Sequence, residues 1–233
     1  MLTFVIIFLG FLPGFTWLLF YLQEEVHPEP KKMIATVFVA GAASAVAALA
    51  VELFISCAFV YRLNGCSQKF IDGIQLTPLL ILIFAIVEET AKFCAAYLVV
   101  AKSKYFDEPV EAMIYMAVAA LGFATVENIG ALLGNGAPVI FNDIFEIATF
   151  RFVGTTLLHT LTASIVGYFW ALEIRNFKSG KFIISGLILG AALHAVFNYL
   201  ILIYSNLLYP IIFVAIVGFF TLNDFEKLKR RRL

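Results

Sequence analysis

The chain is built from apolar blocks that are too long for a soluble helix and too even to leave a polar face. The first, residues 2–22 (LTFVIIFLGFLPGFTWLLFYL), contains no charged residue. A hydrocarbon core about 30 Å thick is crossed by roughly 20 helical residues. Blocks of that kind recur at 34–60, 76–101, 110–133, 150–173, 182–204 and 208–222, the last being the shortest. Composition agrees: 62% of residues are hydrophobic and 14% charged, where soluble domains are about half apolar and about a quarter charged. The expectation is an all-α, polytopic transmembrane helical bundle of about seven spans, eight at most. Residues 138–148 (PVIFNDIFEIA) are apolar but too short to cross, and read as an interfacial or re-entrant piece. The first block has neither a basic leading region nor a small-residue cleavage site, so it reads as a retained helix. No repeat or soluble domain interrupts the series, which makes 1–233 a single domain.

Lysine and arginine set the orientation of such a bundle. With the connections numbered alternately, twelve fall on one side: Lys31, Lys32, Lys102, Lys104, Arg175, Lys178, Lys181, Lys227, Lys229, Arg230, Arg231 and Arg232. Three fall on the other, Arg62, Lys69 and Arg151, and Lys92 inside a span completes the total of 16. This bias puts the basic tail, 223–233, in the cytoplasm and the N-terminus outside, with an odd number of spans. Trp17 and Trp170 then lie near cytoplasmic helix ends, where aromatic belts sit. Acidic residues also number 16, so no overall field draws the chain to nucleic acid. The three cysteines lack CxxC spacing: Cys94 reads as a packing residue, and a Cys57–Cys66 disulfide would need that loop to face an oxidising side.

The spans carry ionisable residues that a membrane makes expensive: Glu52, Glu88, Glu89, Lys92 and Glu127, with His159 and His194. Each charge at mid-bilayer costs on the order of 3 kcal/mol on insertion scales. Glu88 and Lys92, spaced i, i+4, can neutralise each other, which accounts for one carboxylate of four. Counted at about 1.5 Å per residue from the expected outer helix ends, Glu88, Glu127, His159 and His194 all lie at a similar depth on four different helices. They can converge in the outer half of the bilayer. The excess of carboxylates over Lys92 calls for protons, charged histidines or a bound cation. His194 and Asn198 share a helix face at i, i+4 and form a donor pair suited to an oxyanion. Phe123 precedes Glu127 by one turn, Asn128 follows it, and Gly122, Gly154, Gly167, Gly186 and Gly190 allow close helix approach.

These residues also fall into an ordered set of motifs. PGFTWLLFY with HPEPKK comes first, then EETAK (Glu88 to Lys92) and FATVEN (Phe123 to Asn128). FRFVGTTLLHTLTASIVG, with Arg151 and His159, and GAALHAVFN, with His194 and Asn198, complete it. The set resembles the PrsW family of intramembrane proteases, relatives of the CAAX-prenyl-protease and bacteriocin-processing group. EETAK matches that family's EExxK, FATVEN its FxxxEN and HAVFN its HxxxN, with Glu127 where the CAAX-protease relatives carry a histidine.

The resemblance implies an endopeptidase of a prokaryotic cell (inner) membrane that cuts a single-span, membrane-anchored protein near its extracytoplasmic side, for example an anti-sigma factor. It implies that Glu88 or Glu89 activates water, that Glu127 and His159 position it and relay protons, and that His194 and Asn198 hold the oxyanion. Lys92, Asn128 and Arg151 support them. Without an HExxH pair, a metal-independent glutamate mechanism is the preferred expectation. A zinc-dependent variant would draw on Glu88, Glu127, His159 and His194. The competing class is a proton- or cation-coupled transporter, but the chain shows no inverted repeat and seven spans do not halve.

Overall fold

The structure is a computed structural model, and it describes residues 2–23, 28–64, 77–134, 141–175, 180–204 and 207–229. Among these the secondary structure is helical, with no strand. In chain order the helices are α1 (Leu2–Leu22), α2 (Lys31–Asn64), α3 (Pro78–Val100), α4 (Pro109–Leu132), α5 (Phe141–Phe150), a π-helical turn (Arg151–Thr155), α6 (Thr156–Arg175), α7 (Lys181–Ile203) and α8 (Leu208–Lys229). Six stretches are long and apolar enough to cross a membrane: α1, α2, α4, α7, α8 and the run Ile144–Ile174 through the π turn. The remaining helix, α3, has 23 residues and so reaches about 35 Å, but it carries Glu88, Glu89 and Lys92 in its middle.

Local chemistry sets the helix starts. Thr77 accepts a hydrogen bond from the Leu80 N–H at 3.3 Å, and Pro78 takes the first position of α3, where a missing N–H costs nothing. Pro109 opens α4 in the same way. Glu173 of α6 caps α7 from a neighbouring helix: its carboxylate accepts the Gly180 N–H at 2.6 Å and the Phe182 N–H at 2.9 Å. Gly180 meets this geometry at φ 78°, which favours a residue without a β-carbon.

Helix α4 is the axis of the bundle. It packs most extensively against α6, α2 and α1, and its residues from Val110 to Thr125 are all buried. A stretch so rich in Ala and Gly allows backbones to touch, which is how helices associate where lipid removes the hydrophobic drive between them. A β-carbon on Gly122 would collide with the Phe38 carbonyl, and one on Gly41 with that of Ala119. The large apolar side chains point the other way: Leu98, Phe54, Phe4 and Phe219 are all more than 70% exposed, as lipid-facing residues are. At one end of the bundle Tyr115 donates to Glu29 at 2.6 Å, fixing the segment just before α2 to α4.

Four sequence expectations change. Residues 141–148 do not form a separate piece, since α5 continues through the π turn directly into α6, and 138–140 lie outside the described residues. The tail 223–233 begins as helix, since α8 runs to Lys229, with 230–233 outside the described residues. Trp170 is only 2% exposed, packed against Phe93 and Phe106, so it is core rather than belt. Cys94 is exposed rather than packed, and Cys66 lies outside the described residues.

The α2–α4 contact generates a test. Gly122→Val should cost roughly 1–3 kcal/mol by overpacking, read as a lowered unfolding temperature in detergent micelles. Gly130→Ala, whose added methyl meets nothing within 4 Å, should leave that temperature unchanged or raise it slightly.

Candidate functional site

Four helices bring the polar residues of the spans into one cluster, with Lys92 at its centre. Its side chain is fully buried, and Nζ donates to Glu89 Oε1 at 2.7 Å. It also lies 2.9 Å from His159 Nδ1 and 3.9 Å from Glu88 Oε2. The Phe123 ring covers the ammonium at 4.9 Å, a cation–π contact that is strong when water is absent. Glu89 Oε1 takes two further donors, Thr162 Oγ1 at 3.0 Å and His194 Nδ1 at 2.9 Å. Glu89 Oε1 thereby holds α3, α6 and α7 together, while its Oε2 is buried without a partner.

These bonds determine where the imidazole protons are. An ammonium only donates, so His159 Nδ1 accepts and its proton sits on Nε2, which lies 2.8 Å from Glu127 Oε2. His194 gives its Nδ1 proton to Glu89, leaving Nε2 bare. Glu88 Oε2 lies 3.7 Å from the bare His194 Nε2 and 3.8 Å from His159 Nδ1, which already accepts from Lys92. That carboxylate oxygen is buried and has no hydrogen-bond partner. Each glutamate keeps one buried oxygen without a partner, Glu88 Oε2 and Glu89 Oε2, but Glu89 is held through Oε1 by Lys92, Thr162 and His194, whereas Glu88 Oε2 faces the two histidines. Access follows the same line, since the Glu127 side chain is 30% exposed, Arg151 16% and Glu88 10%.

The π turn explains how Arg151 arrives. Eight residues along a regular α-helix place two side chains about 80° apart around the axis. The extra residue of a π turn removes most of that offset, so Arg151 and His159 both reach Glu127, with Arg151 Nη2 at 3.2 Å from Glu127 Oε2. Arg151 Nε donates to Asn128 Oδ1. Asn128 Nδ2 in turn donates to Thr156 Oγ1 at 3.0 Å and to the Gly10 carbonyl at 3.4 Å. Asn128 thus ties α1, α4 and α6 to the arginine.

Of the residues expected from sequence, Glu88, Glu89, Lys92, Glu127, Asn128, Arg151, His159 and His194 meet in this network. Asn198 follows His194 by one turn on α7 and is half-buried, outside the network. Sequence reading missed Thr162 and Thr156. Thr162 stands three residues after His159, the spacing that shares a helix face, which was the available signal. A cavity of about 520 Å³ lined by Tyr97, Phe106, Trp170 and Glu173 lies at another end of the bundle, away from these groups.

One ligand atom each from Glu88, His159 and His194 lie within 4.8 Å of one another, so the cluster is also a candidate metal site. Comparison with known proteins points the same way. The model of a family described as "PrsW family intramembrane metalloprotease" matches residues 29–222. The chain belongs to the PrsW family. It is similar to the protein named protease PrsW in Geobacillus kaustophilus, 29% identical over 201 residues, covering 85% of this chain and 80% of that one. The Bacillus subtilis protein of the same name is 26% identical over 230 residues, 96% and 95% of the two chains. That of Oceanobacillus iheyensis is 27% identical over 188, 80% and 77%. No solved structure matches. PrsW membership makes the chain an intramembrane protease, an integral protein of a prokaryotic membrane with peptidase activity and a membrane-protein substrate.

The metal in the family description can be tested against the site. Glu88 Oε2 is buried without a partner, and each histidine has its far nitrogen on a carboxylate, the backing that metal-binding imidazoles generally receive. This donor set fits a zinc-like ion. Glu127 differs from expectation here, because it backs His159 from behind instead of joining the three convergent ligand atoms. Lys92 is the competitor, occupying the His159 Nδ1 lone pair that a metal would need.

The buried pair at the centre can be weighed directly. Lys92→Met should destabilise the protein by roughly 3–5 kcal/mol, since it strands the Glu89 carboxylate. Adding Glu89→Gln should restore part of that loss. Unfolding by SDS in mixed micelles, run as a double-mutant cycle, measures it, and purely additive losses would disprove the coupling.

Proposed function

We propose that this chain hydrolyses a peptide bond in an extended segment of a single-span membrane protein, with the water held where Glu88, His159 and His194 converge. The observation that carries the reading is the unpartnered Glu88 Oε2 between His194 Nε2 and His159 Nδ1. Such an oxygen accepts a proton from water as it attacks the scissile carbonyl. Glu89 is anchored through Oε1 by three donors, whereas Glu88 makes only the longer contacts to Lys92 and the two histidines. His159, with its Nε2 proton on Glu127, is ready to pass a proton between the inner site and the more exposed Glu127–Arg151 edge. Asn198, one turn from His194, offers an amide N–H to the developing oxyanion. Lys92 holds Glu89 and the Nδ1 side of His159 in register.

A metal reading is favoured by a separate observation, the carboxylate-backed histidines. Glu88, His159 and His194 would hold the ion, which would polarise the carbonyl and make bound water acidic near neutral pH. Glu127 would then take up the proton, as the most exposed carboxylate of the cluster.

In the orientation favoured by the basic residues, the Glu127–Arg151 edge faces the extracytoplasmic half of the bilayer. Cleavage near that side suits the first cut of a regulated substrate such as an anti-sigma factor.

Cleavage of a single-span reporter in liposomes tests the chemistry. Glu88→Gln and His194→Ala should each lower kcat by at least about 100-fold while unfolding temperatures stay near wild type, and Asn198→Ala should cost about 10²-fold, the usual effect of losing one oxyanion donor. Full activity of Glu88→Gln would refute the proposal. Metal analysis separates its two forms. About one zinc per chain, lost in His194→Ala and on chelation together with activity, supports the metal form. Activity that survives exhaustive chelation supports the glutamate form.

A further inference from the structure

Glu52 of α2 is a mid-span carboxylate outside the bond network of the site. Its Oε1 is buried with no hydrogen-bond partner. The neighbours one turn away on the same face, Ala48 and Ser56, are 2% and 3% exposed, so Glu52 points into the bundle and not toward lipid. Its level follows from the packing. Ala45 and Ala48 of α2 pack with Phe123 and Val126 of α4 and with Val87 and Ala91 of α3. One turn further along α2 brings Glu52 level with Gly130 of α4, just beyond Glu127 and on the more exposed side of the cluster. Gly130 presents no side chain there, and nothing lies within 4 Å of a β-carbon built on it.

Charge bookkeeping then isolates Glu52. Lys92 is matched by Glu89 and Arg151 by Glu127. Glu88 lies 3.9 Å from Lys92 and faces the two histidines of the candidate metal site. Glu52 remains beside this cluster with no cation of its own among the described residues. Its position, one turn beyond the convergence point, is out of reach for the three convergent ligand atoms but within reach of a chain entering along the Glu127 edge.

We infer that Glu52 is a specificity-determining residue that receives a Lys or Arg side chain of the substrate, a few residues from the scissile bond. The inference rests on the proteolytic reading above and adds a substrate preference to it. A charged hydrogen bond in a water-poor mouth is strong and short-ranged, so the preference should be confined to one position of the substrate.

The test uses the full-length protein in liposomes and single-span reporters carrying one Lys walked through the positions flanking the cleavage site, each compared with Ala. In wild type, one position should favour Lys over Ala by about tenfold in kcat/KM. Glu52→Gln should bring that ratio close to one, and Glu52→Lys should make Glu the preferred residue there. The proposal is overturned if no position favours Lys in wild type, if the ratio survives Glu52→Gln, or if charge reversal fails to switch the preference. Equal loss of cleavage of every reporter in Glu52→Gln also overturns it, because a purely structural carboxylate would behave that way. Failure of the underlying chemistry shows separately, as cleavage by Glu88→Gln whatever the Lys ratio.

Discussion

Everything at the centre of this bundle depends on one buried ammonium. Lys92 is fully enclosed by α3, α4 and α6, and its bonds to Glu89 and His159 determine the roles of their neighbours. Because it donates to His159 Nδ1, the imidazole proton is forced to the opposite nitrogen and onto Glu127. Because it satisfies Glu89, that carboxylate can also accept from Thr162 and His194 without an unbalanced charge. A charge buried this deeply is costly alone and tolerable only when fully paired. The pairing therefore leaves little freedom, and a site with little freedom is what hydrolysis inside a membrane needs.

The scaffold meets that demand by close backbone contact. Helix α4 is small-residue-rich through its buried length, and the α2 backbone lies against it at Gly122 and Gly41. In lipid, packing of this kind replaces the hydrophobic effect as the source of helix association. It also fixes the height of Glu127 and Asn128 relative to α1 and α6. Asn128 turns that register into a bond network spanning three helices, and the π turn then rotates Arg151 onto the same face as His159. The packing and the polar network are one construction, because a shift of α4 by one turn would move Glu127 away from both of its partners.

Much of this was legible in the sequence. Apolar block length placed α1, α2, α3, α4 and α7 to within a few residues, but it ended α8 at 222 instead of Lys229 and began the run Ile144–Ile174 at 150; the cost of charge in lipid picked out most of the residues that meet. The shared depth of Glu88, Glu127, His159 and His194 required only helix rise and direction. Two things were not legible. The π turn leaves no periodicity signal in an apolar run, so 150–173 reads as a regular helix and Arg151 as a residue at its mouth. The division of labour between Glu88 and Glu89 was also hidden. Adjacent helical residues differ by about 100° in direction, but which direction holds Lys92, Thr162 and His194 depends on how three helices pack.

That division is informative about how such a site is built. Two neighbouring carboxylates in lipid would repel each other if both were left to react. Spending one of them, Glu89, on a cation and two neutral donors lowers the local negative charge and aligns both histidines. The other, Glu88, then has an unpaired oxygen facing nitrogen lone pairs instead of a second anion. Water or a proton can satisfy that arrangement and leave Glu89 and Lys92 unchanged, whereas a metal ion would have to take the His159 Nδ1 lone pair from Lys92. The EExxK spacing places its lysine one turn from the pair, 2.7 Å from Glu89 Oε1 and 3.9 Å from Glu88 Oε2.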